Sequence, residues 1–444
     1  MAEISKSLLT KFEKKESSDP NVKLIRNALY KSTLANLAFD GEELAKTNFI
    51  FNIDVKTMSS TNQKSSGRCW LFAATNILRE KLAKEKNLGE FELSQSWLAF
   101  WDKLEKCNWY YENIIDTANL DSDDRTVSFI VGSGVNDGGQ WDMFINVVNK
   151  YGLVPKSVYP ETAQSSSTSA LNGQINTSLK KGAAVLREMY AKGKSKEKLE
   201  AKKEELLGQI YVFLTECYGS PVKEFDFEYK DKDGNYFIEK GYTPLSFKEK
   251  YFGDMLDDYR SIIHAPTEDK PYNKVYTIDR LGNVVGGKLI KHLNLKISDF
   301  KKVIIKQLKD GEIVWFGCDC GKFGERAEKN LWDDKLYDYD AVTGLDTKLT
   351  KVQGLEYHYS SMNHAMCITG VHLDEKGNPV RWKIENSWGT ETPNKGYYVM
   401  TDSWFDTFVY QAVVDKKYLK EKADLYDGEI ITLKPWDPYG TLAD

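Results

Sequence analysis

Histidine and cysteine are scarce in this sequence, with five and six copies among 444 residues. Cysteines so few and so irregularly spaced exclude a scaffold held together by disulfides. Runs of about 20 apolar residues are missing, which excludes a membrane-spanning helix. The formal net charge of −5 gives no general attraction to nucleic acid or to anionic membranes. The opening residues, MAEISKSLLTKFEKKE, lack the apolar segment of a signal peptide, so we expect a cytoplasmic protein.

Composition and pattern divide the chain into five parts. The apolar content of 41% and the charged content of 29% are ordinary for a soluble globular protein, and the length suggests two or three domains. Short amphipathic helices dominate the start, whereas β-branched and aromatic residues become frequent from about residue 276. The expected parts are an N-terminal arm (1–50), a helical part (51–160), a lysine-rich helical insertion (161–275), a β-rich part (276–430) and a tail (431–444).

The stretch QKSSGRCWLFAATNIL, residues 63–78, changes character at Cys69. Small and polar residues precede this cysteine, and apolar residues at helical spacing follow it. A cysteine at the N-terminus of a helix lies at the positive end of the helix dipole, which favours thiolate over thiol. Cys69 is therefore a candidate nucleophile. The alternative is a small buried cysteine that packs in a core.

A cysteine nucleophile needs a base within hydrogen-bond reach, and that base needs a third group to orient it. His364 is the best candidate because it opens a predicted strand, NHAMCITGVHL, which would fix the direction of its side chain. Asn386 ends another predicted strand, and its carbonyl can accept the imidazole N–H without adding a negative charge. We interpret the other histidines as surface, loop or core residues: His264, His292, His358 and His372.

Together these segments resemble the papain-like cysteine peptidases, and within them the bleomycin hydrolase and bacterial aminopeptidase C branch. SGRCW matches the family's cysteine signature, NHAMCITG its histidine strand and ENSWG its asparagine–tryptophan motif. NDGGQW is similar to the glycine pair at which a substrate backbone approaches the cleft, and PWDPYGTLAD resembles the C-terminus of this branch. The resemblance implies an α+β, papain-like fold: a helical subdomain and a β-barrel-like subdomain, with a helical insertion and an N-terminal arm.

The resemblance also implies a cysteine aminopeptidase that removes N-terminal residues from peptides through a thioester acyl-enzyme. The site carried over from the family consists of the catalytic residues Cys69, His364 and Asn386, the oxyanion-hole residue Gln63, the substrate-binding residues Gly138, Gly139 and Asp444, and the supporting residue Trp388. In this branch the C-terminal tail lies in the cleft, where the carboxylates of Asp444 would pair with the substrate's α-amine and block longer peptides. The branch also assembles as homohexamers, with contacts made by the insertion and the arm.

Three positions depart from ordinary papains. Ser66 stands where the signature carries a second cysteine, so the disulfide of secreted relatives cannot form there, in agreement with a reducing compartment. His364 follows Cys69 by 295 residues (364 − 69), against about 130–150 in the family, and the helical insertion accounts for most of the excess. Arg68 is larger than the small residue common at its position, and the sequence does not explain it.

Other interpretations stay open beside this one. A peptide-binding or chaperone-like chamber would have no need of a thiolate pair, and an endopeptidase with a non-blocking tail is a narrower alternative. The run AKGKSKEKLEAKKEE alternates lysine with glutamate at helical spacing, which favours a solvated helix face over nucleic-acid binding. Cys318 and Cys320 lack the second pair of a zinc site, and DKDGNY predicts a hairpin turn rather than a calcium loop. We expect no metal, no cofactor and no membrane partner, and peptides with a free N-terminus as substrates.

Overall fold

The computed structural model describes residues 1–443, so the predicted substrate-binding residue Asp444 lies outside the described residues. Helices and strands are mixed along the chain, which confirms the expected α+β class. The α-helices are α1 (Lys6–Ser18), α2 (Pro20–Leu29), α3 (Leu34–Ala38), α4 (Gly41–Lys46), α5 (Cys69–Lys86), α6 (Gln95–Asp116), α7 (Arg125–Ser133), α8 (Trp141–Tyr151), α9 (Ala163–Ser166), α10 (Ser169–Ala191), α11 (Lys196–Tyr218), α12 (Pro244–Phe252), α13 (Ile297–Lys309), α14 (Tyr339–Thr343), α15 (Lys351–Glu356) and α16 (Asp402–Phe408).

Nearly all strands join one large sheet. The strands are β1 (Ile53–Asp54), β2 (Phe225–Lys230), β3 (Tyr236–Tyr242), β4 (Tyr259–Ile263), β5 (Val275–Ile278), β6 (His292–Asn294), β7 (Val314–Cys318), β8 (Gly324–Glu325), β9 (Leu331–Trp332), β10 (His364–Leu373), β11 (Pro379–Glu385), β12 (Tyr397–Thr401), β13 (Val409–Asp415) and β14 (Ile430–Leu433). Their order in the sheet is β14-β5-β6-β4-β13-β7-β10-β11-β12-β9-β8, with β1 added to β10, while β2 and β3 form a separate hairpin.

Helix α5 is the central helix of the molecule. Its side chains are buried on every face from Cys69 to Arg79, as expected of a helix that is enclosed by other elements. It packs against β10 on one side and against α6 and α8 on the others. This packing places Cys69, the first residue of α5, beside His364, the first residue of β10.

The register of the hairpin β10–β11 determines which side chains meet at that point. The two strands are antiparallel, with Cys367 opposite Glu385. The end of β11 therefore lies beside the start of β10, and Asn386 follows β11 directly. Because antiparallel pairing brings the end of one strand to the start of its neighbour, residues 22 apart in sequence are brought within hydrogen-bond distance.

The helical insertion packs as a unit on α6. Helices α10 and α11 contact each other and α6, and β2–β3 close through the predicted turn, where the Asp231 carboxylate accepts the backbone N–H groups of Asp233 and Asn235 at 3.0 and 2.8 Å. The large sheet begins earlier in the chain than the expected boundary at 276, since β4 pairs with β13. Strand β4 is a five-residue segment next to helical sequence, too short for its pattern to stand out.

The first two helices of the N-terminal arm are exposed. Helices α1 and α2 contain no buried residue, and apolar side chains on the arm are exposed, among them Ile4, Phe12, Leu24 and Tyr30.

None of the helices within residues 1–443 has both the length and the apolar composition that a membrane span requires.

Candidate active site

Cys69 lies at the N-terminus of the buried helix α5. The carbonyl of Arg68 accepts the N–H groups of Leu71 and Phe72 at 2.9 and 3.1 Å and so starts the helix. The Cys69 Sγ accepts the backbone N–H of Ala365 at 3.4 Å. The sulfur is therefore positioned between the positive end of the helix dipole and the start of β10.

His364 is bound on one ring nitrogen by Asn386. Its Nε2–H donates to the Asn386 Oδ1 at 2.9 Å, and the ring of Trp388 lies over the imidazole at a centroid distance of 5.1 Å and an angle of 32°. Burial lowers the pKa of His364 to about 4; the hydrogen bond to Asn386 opposes this shift, and the positive charge of Arg326 adds to it. A protonated His364 at neutral pH thus requires an anion beside it.

The segment that carries Gln63 is bound to the turn after Asn386. The Gln63 N–H donates to the Ser387 carbonyl at 2.9 Å, and the Gly389 N–H donates to the Thr61 carbonyl at 2.9 Å. The Ser387 hydroxyl donates to the Gln63 Oε1 at 2.6 Å, and the Gln63 Nε2 donates to the Ser66 carbonyl at 2.5 Å. These bonds fix the orientation of the amide, whose NH₂ group retains a second hydrogen.

Gly138 and Gly139 lie in the loop before α8. The Gly138 carbonyl accepts the Lys106 ammonium at 2.5 Å. Gly139 lies against Trp70, and a Cβ at this position would come within 2.5 Å of the Trp70 ring. Glycine is therefore required here by close packing.

The tail pairs with this glycine. Ala443 and Gly139 exchange two backbone hydrogen bonds, of 3.1 Å from the Gly139 N–H and 3.3 Å from the Ala443 N–H. The Gln140 side chain donates to the Thr441 carbonyl at 2.7 Å. Ala443 thus forms a single β-bridge with Gly139, the kind of backbone pairing that also binds extended peptides.

Further side chains anchor the tail upstream. The buried Tyr439 hydroxyl donates to the His264 carbonyl at 2.6 Å, and Asp437 forms an ion pair with Lys270 at 2.9 Å. The Arg125 guanidinium lies 3.7 Å from the centroid of the Trp436 ring. The aromatic residues of the segment are explained by these contacts.

The sequence did not predict the buried polar network around the loop that precedes Cys69. Arg68 forms a bidentate pair with Glu161 at 2.9 and 3.1 Å, and its Nε donates to the Ser66 hydroxyl at 2.9 Å. The Ser66 hydroxyl in turn donates to the Gln63 carbonyl at 2.6 Å. Arg68 therefore connects the helical insertion, where Glu161 lies, to the loop before Cys69. Its unusual size was the signal in the sequence.

Asp137 is a second member of the network. Its carboxylate forms a buried ion pair with Lys103 and accepts the Gly67 N–H at 3.0 Å, and its carbonyl accepts the Trp70 indole N–H at 2.7 Å. Burial alone would raise the pKa of Asp137, but Lys103 and the hydrogen bonds outweigh it and hold the pKa well below its usual value. These polar bonds join the two segments that a disulfide joins in secreted papain-like enzymes.

The structure brings together all predicted site residues that it describes. His364 contacts Asn386 and Trp388, and its neighbour Ala365 is bound to Cys69. Gln63 is bound to Ser387, which follows Asn386, and Gly139 packs against Trp70, which follows Cys69. Gly138 is adjacent through the backbone, and Asp444 lies outside the described residues.

Comparison with known proteins gives concordant matches. The profile of the Peptidase C1-like family matches residues 3–440. The chain is 48% identical to the aminopeptidase C of Lactobacillus delbrueckii subsp. lactis, with 99% of each chain covered. It is 37% identical to the human bleomycin hydrolase, with 97% of this chain and 96% of that one covered. The crystal structure of PepW from Lactobacillus rhamnosis HN001 superposes with a TM-score of 0.96 at 44% identity and 100% coverage of both chains.

Proposed function

The chain belongs to the Peptidase C1-like family and is a cysteine-type aminopeptidase, and from this premise we propose that Cys69 is its nucleophile and His364 its general acid and base. Asn386 orients the imidazole through the 2.9 Å hydrogen bond, and Trp388 covers that bond. The site needs no metal or cofactor for this chemistry, because a thiolate and an imidazolium together supply the nucleophile and the proton.

The position of Cys69 at the N-terminus of α5, next to the strand that begins with His364, supports a coupled ion pair. The imidazole, with a pKa lowered to about 4 by burial despite the bond to Asn386, keeps a proton at neutral pH only next to a negative charge. The Cys69 thiolate, at the N-terminus of α5, is that charge. The two groups titrate as a coupled pair, so each apparent pKa belongs to the pair rather than to one residue.

Each turnover then has two halves. The Cys69 sulfur attacks the carbonyl carbon of the first peptide bond, and the C–N bond breaks as the His364 imidazolium gives its proton to the leaving amine. Neutral His364 next takes a proton from water, whose oxygen attacks the thioester, and the C–S bond breaks to regenerate the pair. The Gln63 amide, oriented by Ser387, stabilises the oxyanion in both halves.

The pairing of Ala443 with Gly139 is the observation that carries the exopeptidase assignment. It fills the strand position on one side of Cys69 with the enzyme's own backbone. The tail therefore leaves room for only one substrate residue on the N-terminal side of the scissile bond. We propose that the carboxylates of Asp444, the next residue, pair with the charged α-amine of the substrate. Acetylation of that amine would remove its charge.

Two fluorogenic substrates that differ only in N-terminal acetylation test this assignment. The full-length enzyme should cleave only the free-amine substrate, and a chain without residues 441–444 should gain cleavage of the acetylated one. Cys69→Ala in both backgrounds is the matched control and should abolish both activities. Cleavage of the acetylated substrate by the full-length enzyme would refute the gate, and activity in the Cys69→Ala variants would refute the nucleophile.

We also propose a cytoplasmic homohexamer. The support for assembly is the exposed apolar surface of the arm and of β3, where Tyr236, Phe237 and Ile238 are exposed; six subunits follow from the resemblance to the branch. Five free thiols, Cys107, Cys217, Cys318, Cys320 and Cys367, support a reducing compartment. Sedimentation velocity tests the assembly: a monomer at micromolar concentration would contradict it.

A further inference from the structure

Arg326 lies against Trp388, the residue whose ring covers His364. Its guanidinium is 4.2 Å from the centroid of the Trp388 ring, and the same ring lies 5.1 Å from the His364 ring. The apolar ring of Trp388 therefore contacts both the proposed acid–base residue and a cation. The position of Arg326 was not singled out from the sequence.

A loop closed by the Glu325 carboxylate presents this arginine. The Glu325 carboxylate accepts the backbone N–H groups of Ala327, Glu328 and Lys329 at 2.5, 2.9 and 2.9 Å. Strand β8, which ends at Glu325, pairs with β9. The Glu325 carboxylate thus closes the loop that places Arg326 over Trp388.

The guanidinium of Arg326 is available to a ligand. It is exposed, and it forms no ion pair within residues 1–443; its hydrogen bond to the Cys320 carbonyl is long, at 3.4 Å. The neighbouring carboxylates are committed elsewhere: Asp319 accepts bonds from Ser360 and Asn363, and Glu325 accepts the loop N–H groups. Most of its donors therefore face solvent.

The leaving group must pass over this surface. On the proposed function, which this inference requires, the tail occupies the acyl side of the cleft by pairing with Gly139. Outside the tail, the described hydrogen bonds of residues 439–443 go to Gly139 and Gln140 and, farther upstream, to the His264 carbonyl. The amine released from the scissile bond therefore lies on the Trp388 side, where His364 protonates it.

We propose that Arg326 is a specificity residue that binds the C-terminal carboxylate of the leaving amino acid, so that the enzyme favours dipeptides. In a dipeptide the leaving residue carries its carboxylate one carbon from the reacting nitrogen. An arginine fork suits a carboxylate geometrically. The enzyme would thereby complete the conversion of short peptides to free amino acids.

Three substrates and three proteins test this proposal: Ala-Ala, Ala-Ala-amide and Ala-Asp-amide, with wild type, Arg326→Gln and Lys322→Gln. Lys322 is a nearby cation in the turn before β8, but its ammonium lies over Tyr359 at 3.7 Å, so it is the matched control. Arg326→Gln should lower kcat/KM for Ala-Ala about tenfold, mainly through KM, and change kcat/KM for Ala-Ala-amide much less. Lys322→Gln should keep the wild-type preference.

Two results would overturn the proposal. Equal changes for Ala-Ala and its amide would show that Arg326 does not read the carboxylate. A loss confined to Ala-Asp-amide would show that it reads an acidic side chain instead. Failure of the proposed function would give a different result from failure of this proposal. It would appear as residual turnover of Ala-Ala-amide by Cys69→Ala, whatever the Arg326 variant does.

Discussion

The hydroxyl of Ser387 holds the side-chain carbonyl of Gln63 at 2.6 Å, across 324 residues of sequence. One bond thus links the proposed oxyanion-hole residue to the turn that also carries Asn386. The same turn orients the imidazole and the amide, so the acid–base group and the oxyanion donor are placed by one structural element.

Ser387→Ala should lower kcat about tenfold with little change in KM. Without the hydroxyl, the Gln63 amide loses the bond that fixes its orientation, and stabilisation of the oxyanion weakens without a change in substrate binding. Steady-state kinetics on a free-amine substrate measure this effect. The matched control is Ser403→Ala, which removes a hydroxyl that donates to Asp334 at 2.6 Å; equal losses in both variants would contradict the prediction.

Arg68→Met should also lower kcat about tenfold, because Ser66 and hence Gln63 lose their support. The alkylation rate of Cys69 by iodoacetamide separates positioning from general damage. It should stay near the wild-type value, since the thiol itself is not touched. A parallel fall in alkylation and kcat would mean that the whole helix terminus had moved. Arg68→Lys should recover little, since it cannot reproduce the bidentate pair with Glu161.

Gly139→Ala should reduce kcat/KM by about a hundredfold, because the new methyl group would collide with Trp70 and displace the backbone that pairs with the tail. Gly132→Ala, with open space around its Cα, is the control and should be nearly silent. A nearly silent Gly139→Ala would show that the Trp70 contact relaxes easily.

Asp137→Asn should destabilise the protein by roughly 3 kcal/mol at pH 7, because it leaves the Lys103 ammonium buried without its partner. The carboxyl has a lowered pKa in the folded state, so its contribution is present above the usual value near 4 and is lost as the pH falls further. Urea unfolding of the wild type, the variant and Lys103→Met/Asp137→Asn measures this; the double variant should recover part of the loss. A double variant as unstable as the sum would argue against the pair.

Acid should destabilise the protein below about pH 6.5. Burial lowers the pKa of His264 to about 4 and of His292 to about 3, so both bind protons in the unfolded state before they do in the folded state. Each adds a loss of roughly 1.4 kcal/mol per pH unit down to its folded pKa. Urea midpoints between pH 7 and pH 5 measure the slope, and His292→Asn should remove about one proton of it. A midpoint independent of pH in this range would refute the prediction.

The sequence by itself determined the fold class, the family and the candidate residues Cys69, His364 and Asn386. Each of these is marked locally: Cys69 starts an apolar helix, His364 starts a strand, and Asn386 ends one. Local patterns of this kind follow from the periods of helix and strand, which a window of ten to twenty residues shows.

Only the tertiary structure decided which distant groups support them. The bond from Ser387 to Gln63, the pair of Asp137 with Lys103 and the position of Arg326 on Trp388 each join segments with no shared local pattern. The membership of β4 in the large sheet is of the same kind, because a strand's partners lie elsewhere in the chain. Such contacts depend on how buried elements pack in three dimensions, and packing is a property of the whole chain rather than of any window of it.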